Sequence, residues 1–394
     1  MSGLHIAMVG TRGVPARYGG FETAIEEIGQ RLVQRGHRVT VYCREMGDGA
    51  RPARHLGMDL VHLPALRKRS LETLSHTGLS VAHLLRHRPD AAIVFNAANA
   101  PYLPAIRAAG VPVATHVDGL EWKRAKWGRA GRNYYQLVER LAVRWSDALI
   151  ADAAGIQDYY REKFDADTVY LAYGAPLQAG GGTDRLGELG LAPRGYHLVV
   201  ARFEPENHVH LIVEGFARSA ARLPLVVVGS APYSDRYTSM VHGLGDDRVR
   251  FVGGIWDQEL LDQLYANALV YWHGHSVGGT NPSLLRAIGS GTATNAFDVG
   301  FNREVLETAG RYFAGPDDVT RLVHEAESPG SDADARGRHA RQLARRYNWD
   351  DVAAGYEQLC EGLLSTRSRS ARQGPAAATR DRTSAPRPSL GAGQ

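Results

Sequence analysis

The chain contains little cysteine and no long hydrophobic run. Its 394 residues include two cysteines, Cys43 and Cys360, far apart in the sequence. This usage argues against a disulfide framework and fits a reducing compartment, so we expect a cytoplasmic protein. The N-terminus "MSGLHIAMVG" lacks the basic and long apolar regions of a signal peptide, and no run has the length that crosses a bilayer. We therefore predict neither a secretory leader nor a transmembrane span.

Several motifs that carry chemistry are also missing. The glycines after the first strand do not fit G-x-G-x-x-G, and the second strand ends in "YCR" without an acidic ribose anchor. Both features argue against a nicotinamide or flavin dehydrogenase and against a nucleotide-sugar epimerase. A P-loop and a G-x-S-x-G nucleophile turn are absent. His273 and His275 are separated by one residue, but no HExxH, DxD or CxxC motif lies at a useful spacing from them. We therefore expect no metal and no other cofactor.

The excess of positive charge is confined to the C-terminal end. Residues 365–394 contain six arginines and one aspartate, a net charge of +5, which leaves −1 on the rest of the chain out of the overall +4. A nearly neutral body with a basic tail rich in proline, serine and alanine indicates a solvated appendage, not a nucleic-acid-binding face. We therefore expect no nucleic-acid partner and a disordered basic tail over residues 365–394.

Apolar segments of strand length alternate with helical segments along the body of the chain. The first set of strands includes "LHIAMVG" (4–10) and "AAIVFNA" (91–97), and a second set begins with "YHLVVARF" (196–203). Continuous apolar strands alternating with helices predict parallel sheets covered on both faces. The glycine- and proline-rich stretch 173–195 separates the sets as a hinge linker. The predicted fold class is α/β, with two doubly wound Rossmann-like domains, 1–172 and 196–345, facing across a cleft, and a further helix over 346–364.

Two glycine-rich segments predict anion binding at helix N-termini. "GTRGVPARYGGFET" (10–23) follows the first strand, and "HGHSVGGTNPSLLRAIGSG" (273–291) places small polar residues before a helix that begins near Pro282. Small residues let backbone N–H groups approach a ligand, and the helix dipole favours negative charge there. For the first segment, a flexible loop without a ligand is the alternative.

Polar residues at the ends of other predicted strands are further candidates. Arg202 follows the first strand of the second domain, where its planar fork reaches a diphosphate or, alternatively, pairs with a neighbouring glutamate. His116 and Asp118 end a first-domain strand and face the cleft, with core packing as the alternative for the histidine. Glu304 follows a second-domain strand and has a surface salt bridge as its alternative.

Taken together, the segments "GTRGVPARYGGFET", "DGLEWKRAKW", "ARFEPENH", "HGHSVGGTNPSLL" and "FNREVL" resemble family 4 retaining glycosyltransferases with the GT-B fold. The most similar subgroup is the bacterial rhamnosyltransferase-like one, which acts in surface polysaccharide synthesis. The resemblance covers about residues 4–364. It implies transfer of a sugar from a nucleotide-sugar donor to a hydroxyl of a sugar or lipid-linked glycan acceptor, with retention of the anomeric configuration. It also implies that the terminal helix crosses back onto the N-terminal domain.

The resemblance implies roles for individual residues. Catalysis falls to His116, Asp118 and Arg202. Donor binding falls to a larger set along both domains: Gly19, Gly20, Arg202, Asn207, Gly279, Thr280, Asn281, Ser283, Leu284, Arg286 and Glu304.

Two positions depart from the family pattern. Asn207 stands where the family has a lysine, and Arg286 stands where it has a glutamate that accepts hydrogen bonds from the donor ribose. An arginine only donates hydrogen bonds. The alternative function is therefore a catalytically impaired relative that binds a nucleotide sugar or an assembly partner.

One segment allows a membrane interpretation. "WKRAKWGRAGRNYYQLVERLAVRW" (122–145) combines basic and aromatic residues, as an interfacial helix does on an anionic membrane. An amphipathic helix packed on the sheet with a solvated basic face explains the same pattern. Both interpretations remain open at this point.

Overall fold

The computed structural model describes residues 3–16, 19–45, 51–66, 71–117, 119–124, 127–177, 181–229 and 235–372. Within these ranges the strands fall into two separate sheets.

The N-terminal half of the chain forms an eight-stranded sheet. Its strands are β1 (His5–Val9), β2 (Arg38–Arg44), β3 (Arg54–His55), β4 (Met58–Leu63), β5 (Ala91–Phe95), β6 (Val113–His116), β7 (Ala148–Ala151) and β8 (Val169–Tyr170). Their order across the sheet is β3-β4-β2-β1-β5-β6-β7-β8. Neighbours are parallel except for the antiparallel pair β3–β4. The α-helices of this half are α1 (Gly20–Gln34), α2 (Glu72–His87), α3 (Leu103–Ala108), α4 (Arg129–Trp145) and α5 (Ala154–Phe164).

The C-terminal half forms a six-stranded, wholly parallel sheet. Its strands are β9 (His197–Val200), β10 (Leu225–Val228), β11 (Val249–Gly253), β12 (Val270–His273), β13 (Thr294–Phe297) and β14 (Arg311–Phe313), in the order β11-β10-β9-β12-β13-β14. The α-helices are α6 (Val209–Arg218), α7 (Asp235–Leu244), α8 (Gln258–Asn267), α9 (Pro282–Gly289), α10 (Gly300–Leu306), α11 (Pro316–Glu327), α12 (Ala333–Ala344) and α13 (Trp349–Arg372).

Each sheet has one place where the chain reverses the direction in which it adds strands. In the first sheet β1 lies between β2 and β5, and in the second β9 lies between β10 and β12. The loops that leave the carboxyl ends of the two strands flanking such a point diverge to opposite faces of the sheet and open a crevice. The sequence segments after β1, β9 and β12 are therefore placed where an α/β sheet binds its ligands.

The sequence prediction of a doubly wound α/β protein with the GT-B architecture is confirmed. One hairpin and one helix boundary differ from the prediction. The hairpin β3–β4 was not predicted, because its first strand is only two residues long and polar. Helix α13 continues to Arg372, although residues 365–394 were assigned to a disordered tail. Residues 365–372 contain no glycine or proline and bring arginines to the helix C-terminus, where the dipole favours positive charge. Residues 373–394 lie outside the described part of the chain.

Helix α13 returns from the second domain to pack on the first. Nε of Arg31 on α1 donates to Asp350 at 2.8 Å, and Nε2 of His37 lies 2.7 Å from Glu357. At the start of α13, the indole of Trp349 lies against Gly174 and 6.4 Å from the ring of Tyr173. The side chain of Trp349 is 7% exposed. This helix therefore ties the two domains together on the side of the linker.

We expect Trp349→Ala to lower the free energy of unfolding by about 3–5 kcal/mol, because it leaves a cavity at the start of α13. Trp256→Ala is the control, since Trp256 is 63% exposed and its loss is expected to change stability by less than about 0.5 kcal/mol. Chemical denaturation of both variants measures the difference. Equal effects would contradict this role for Trp349.

Candidate active site

The two glycine-rich segments meet across the cleft. A Cβ at Gly20, the first residue of α1, would lie 3.3 Å from Cγ of Pro282, the first residue of α9. A Cβ at Gly119 would lie 2.6 Å from the backbone of Gly278, closer than real contacts allow. The positive φ of 131° at Gly278 also favours glycine. The N-terminal ends of two helices from different domains thus approach each other, with glycine where backbone touches backbone.

The N-terminus of α9 is held by its own cap. The side chain of Asn281 accepts a hydrogen bond from the N–H of Ser283 at 2.9 Å. Leu284, in the same first turn, is fully buried. Pro282 has no N–H and the N–H of Ser283 is taken by the cap, so this turn presents the N–H of Leu284 and a positive dipole end towards the cleft. The predicted anion site is therefore a matter of backbone geometry, and the side chain of Asn281 serves to set that geometry.

Arg202 follows β9 in a loop that Asn207 stabilises. Nδ2 of Asn207 donates to the carbonyl oxygen of Arg202 at 2.8 Å, and Asn207 is 1% exposed. Arg202 is half-buried, and its positive charge contributes to lowering the pKa of His275, for which burial is the larger cause. Asn207 therefore shapes the loop that carries Arg202, which a lysine at this position would not do in the same way.

His116 ends β6 inside an aromatic cluster. Its ring lies 5.5 Å from Phe95 and 5.9 Å from Tyr173 in stacked arrangements, and 5.1 Å from Phe21 edge-on. Neither ring nitrogen has a hydrogen-bond partner among the described residues. Burial lowers the pKa of His116 to about 3, so the ring is neutral at pH 7. Asp118, its predicted companion, lies outside the described residues.

Asp152 of the first domain lies against Gly279 and Thr280, which precede α9 in the second domain. A side chain at Gly279 would overlap Oδ1 of Asp152, and the hydroxyl of Thr280 donates to the main-chain oxygen of Asp152. Oδ1 itself has no hydrogen-bond partner in the described part of the chain. Burial raises the pKa of this carboxyl to about 7. Gly279 and Thr280, predicted as donor ligands, thus also form a contact between the domains.

Glu304 bridges the domains at a neighbouring point. Both carboxylate oxygens accept from the N–H of Ala154 at 3.1 Å, at the first residue of α5, and Oε1 also accepts from the hydroxyl of Tyr170 at 3.2 Å. A carboxylate at a helix N-terminus is stabilised by the dipole. In this structure the predicted donor ligand Glu304 is therefore engaged with the first domain.

Arg124 forms a third bridge. It pairs with Glu121 in its own domain, and its Nη1 lies 3.4 Å from Oε1 of Glu206 in the other. The main-chain oxygen of Glu206 accepts from the N–H and the hydroxyl of Ser276 at 2.9 and 3.0 Å. We refer to the contacts Gly119–Gly278, Asp152–Thr280, Ala154–Glu304 and Arg124–Glu206 as the domain seam.

Arg286 points away from the first turn of α9. Its guanidinium pairs with Asp262 on α8 and donates to Oε1 of Gln258 at 2.9 Å. It also lies 5.8 Å from the ring of Tyr265. The charge of Arg286 is therefore neutralised locally by Asp262.

The basic and aromatic segment 122–145 packs against the sheet. Tyr135, Val138 and Ala142 of α4 are buried in the first-domain core, and Trp122, Trp127 and Trp145 pack against the same core. The aromatic residues therefore face inward, as the packed-helix interpretation requires. Across the described helices, none combines the length and hydrophobicity that a bilayer crossing needs. Over the same residues, no group of three histidine, cysteine or acidic side chains converges as metal ligands.

Sequence reasoning missed Asp152, Glu206 and Arg124 as site residues, although Glu206 and Arg124 lie in segments that it singled out. For Asp152 the signal was a carboxylate directly after a buried strand, since "ALIA" leads into it. Nothing in one sequence indicates that Arg124 meets Glu206, because the two residues are 82 positions apart and in different domains.

The raised pKa of Asp152 makes a prediction about stability. The carboxyl of an unfolded aspartate has a pKa of about 3.9, so the folded state keeps this proton to higher pH. The free energy of unfolding therefore falls as pH rises from about 4 to about 7. Asp152→Asn removes this fall, at most about 1.4 kcal/mol per pH unit. Denaturation of both proteins between about pH 4.5 and 8 should show that the free energy of unfolding of the wild type falls relative to that of Asp152→Asn, and that this change continues up to about pH 7. A difference independent of pH would contradict the account.

Comparisons with known protein families divide the chain into the same two domains as the structure. A family model described as "Glycosyl transferase 4-like domain" matches residues 19–174, and one described as "Glycosyl transferases group 1" matches residues 192–344. The two matches fall on the two sheets in turn. No curated protein sequence matches the chain.

Solved structures with the same fold cover nearly the whole chain. Sucrose-phosphate synthase from Thermosynechococcus elongatus superposes with a TM-score of 0.81 at 17% identity, covering 92% of this chain and all of that one. Anabaena HepE in complex with UDP-glucose gives 0.73 at 17% identity over 92% of this chain and 100% of that one. An α,α-trehalose-phosphate synthase from Burkholderia xenovorans, in complex with glucose-6-phosphate, gives 0.70 at 12% over 91% and 100%. The chain belongs to the glycosyltransferases of the GT-B fold, with a family 4-like domain followed by a group 1 domain.

Proposed function

We propose that the protein transfers a sugar from a nucleoside diphosphate sugar to a hydroxyl acceptor with retention of the anomeric configuration. The observation that carries this proposal is the meeting of α1 and α9 across the cleft, with Arg202 in the loop after β9. Two helix N-termini and a guanidinium suit a diphosphate, which carries concentrated negative charge. HepE binds UDP and UDP-glucose within the same fold.

The donor diphosphate would lie between Gly19–Gly20 and the residues Gly279 to Leu284. The N–H of Leu284 in the first turn of α9 and the N–H groups of Gly279 and Thr280 before it would bind the phosphate oxygens, whereas the N–H of Ser283 already donates to Asn281. Asn281 would act by capping the helix and Asn207 by holding the Arg202 loop, as their hydrogen bonds indicate. Charge that develops on a leaving diphosphate is stabilised by such fixed donors, which is a large catalytic contribution.

Retention would follow from attack on the face that the diphosphate leaves. The bond between C1 of the sugar and the diphosphate oxygen breaks, the bond from C1 to the acceptor oxygen forms, and the acceptor proton passes to the departing diphosphate. This route needs no carboxylate nucleophile. It fits a seam in which Glu206 and Glu304 are engaged with Arg124 and the first turn of α5. His116, neutral at pH 7, and Asp118 would position the sugar and the acceptor.

A second candidate function is a nucleotide-sugar-binding protein with impaired catalysis. The pairing of Arg286 with Asp262 favours it, because the donor ribose then lacks its carboxylate partner. Incubation with UDP- and GDP-sugars separates the two. Release of nucleoside diphosphate above the rate of a sample without protein supports the transferase, whereas saturable binding without release supports the second function.

The resemblance to the rhamnosyltransferase-like subgroup suggests the cellular setting. We propose a role in cell-surface polysaccharide or glycoconjugate synthesis, in the cytoplasm, with peripheral contact at the inner membrane face when the acceptor is lipid-linked. The inward packing of Trp122, Trp127 and Trp145 leaves such contact to the basic side chains of α4. No metal or other cofactor enters this scheme.

Arg202→Ala tests the diphosphate contact. Charge-assisted hydrogen bonds of this kind contribute roughly 1.5–3 kcal/mol, so UDP affinity should fall by about tenfold or more. Arg218→Ala is the matched control, an arginine at the far end of α6 whose side chain is 54% exposed. Calorimetric titration with UDP should show a loss for Arg202→Ala alone. Equal affinities in both variants would remove Arg202 from the site.

Arg286→Glu tests the ribose contact. Because the new carboxylate would face Asp262, the variant is combined with Asp262→Asn, and Asp262→Asn alone is the control. A carboxylate accepts from both ribose hydroxyls, so the double variant should gain affinity for UDP by about tenfold, and less for 2′-deoxyuridine diphosphate. The two nucleotides share a base and differ in one hydroxyl. Equal gains for both, or none, would show that position 286 is not at the ribose.

A further inference from the structure

A cavity of about 930 Å³ lies beside the domain seam, between α4 of the first domain and the loop that follows β12 of the second. Its volume is within the roughly 300–1,000 Å³ of small-ligand pockets, and it is open to solvent, because the side chains that α4 contributes are exposed. We call it the basic cavity, and its walls consist of Trp122, Lys123, Arg129, Arg132, Asn133, Gln136, Ser276 and Val277.

One face of α4 forms the wall on the first-domain side. Arg129, Arg132, Asn133 and Gln136 follow the spacing i, i+3, i+4 and i+7, which places them together along one side of a helix. The side of α4 that carries Tyr135, Val138 and Ala142 is buried in the core instead. The four polar side chains therefore line the cavity, and they are not needed to anchor the helix on the core.

The lining carries three cations and no acid. Within the described residues, Arg129 and Arg132 take part in no ion pair, and Nζ of Lys123 lies 5.6 Å from the ring of Trp122. The neighbouring acids are already engaged, Glu121 with Arg124 and Glu139 with Lys163. Like charges gathered in one concavity raise the local potential and attract an anion.

The cavity adjoins the predicted reaction centre. Ser276 and Val277 directly precede Gly278, the residue that meets Gly119 across the seam. Trp122 and Lys123 follow Gly119 closely in sequence, so the same two chain segments form both the seam and the cavity walls. The cavity therefore adjoins the loop that leads into the N-terminus of α9, where the donor diphosphate is proposed to bind.

We propose that the basic cavity is the acceptor site and that it recognises an acceptor bearing a phosphate group. Arg129 and Arg132 bind the phosphate oxygens with their planar forks and Lys123 adds a third charge, while Asn133 and Gln136 donate to and accept from sugar hydroxyls. The part of Trp122 that is not packed on the core lines the cavity and would contact the sugar ring. This inference rests on the proposed function, since it names the acceptor class for that reaction.

The experiment compares Arg132→Gln and Arg129→Gln with Arg140→Gln, an exposed arginine of the same helix outside the cavity. Glucose 6-phosphate probes a soluble phosphate-bearing acceptor, and a short-chain polyprenyl phosphate in neutral vesicles probes a lipid-linked one. Glucose is the uncharged reference. Binding is measured in saturating UDP, and UDP affinity is measured separately for every variant.

We expect glucose 6-phosphate to bind more tightly than glucose, or neutral vesicles with the polyprenyl phosphate to bind more tightly than the same vesicles without it. Either cavity variant should lose about tenfold to a hundredfold of that affinity, whereas Arg140→Gln and the UDP affinity of all variants stay unchanged. Equal losses in Arg132→Gln and Arg140→Gln, or glucose binding as tightly as glucose 6-phosphate, would overturn the proposal. Binding to phosphatidylglycerol vesicles, without binding of either phosphate probe, would also overturn the proposal. The cavity would then be a site of membrane contact. If the wild type binds no UDP, the proposed function fails instead.

Discussion

Everything at the candidate site depends on how closely the backbones of the two domains approach at Gly119 and Gly278. A Cβ at the first of these would stand 2.6 Å from the second, so only glycine permits the approach. That contact brings the first turn of α9 opposite the start of α1. Because both helices point their N-termini at the same space, the electrostatic character of the cleft is set by backbone dipoles before any side chain is considered.

The side chains around this contact hold the seam. Arg124 reaches Glu206, Glu304 reaches the N–H of Ala154, and the Thr280 hydroxyl reaches the carbonyl oxygen of Asp152. Each bridge has one partner in either domain, so a change in the angle between the domains would stretch all three. Helix α13 restrains the same movement through Arg31–Asp350 and His37–Glu357. The seam and α13 together keep the two anion-binding loops facing each other.

The sequence was enough to predict the fold, because continuous apolar runs of strand length, such as Ala91–Phe95, are typical of a parallel sheet covered on both faces. These residues are buried in the structure. It also singled out Gly20 and Gly279, since glycine before a helix is a local signal. What it did not predict are the contacts between distant segments. The pairing of Arg286 with Asp262 depends on how α8 and α9 pack within the second domain, and the burial of Asp152 under Gly279 depends on how the two sheets meet. The basic cavity has the same origin, since one wall comes from each domain.

The central claim is that a nucleoside diphosphate binds between the N-termini of α1 and α9. Hydrogen–deuterium exchange in the presence and absence of UDP tests it most directly, because the proposed ligands are backbone N–H groups. Slower exchange on adding UDP is expected in the segments 19–23 and 278–285, at concentrations that follow the measured affinity. Protection confined to other segments, or unchanged exchange in both of these with UDP bound, would contradict the account.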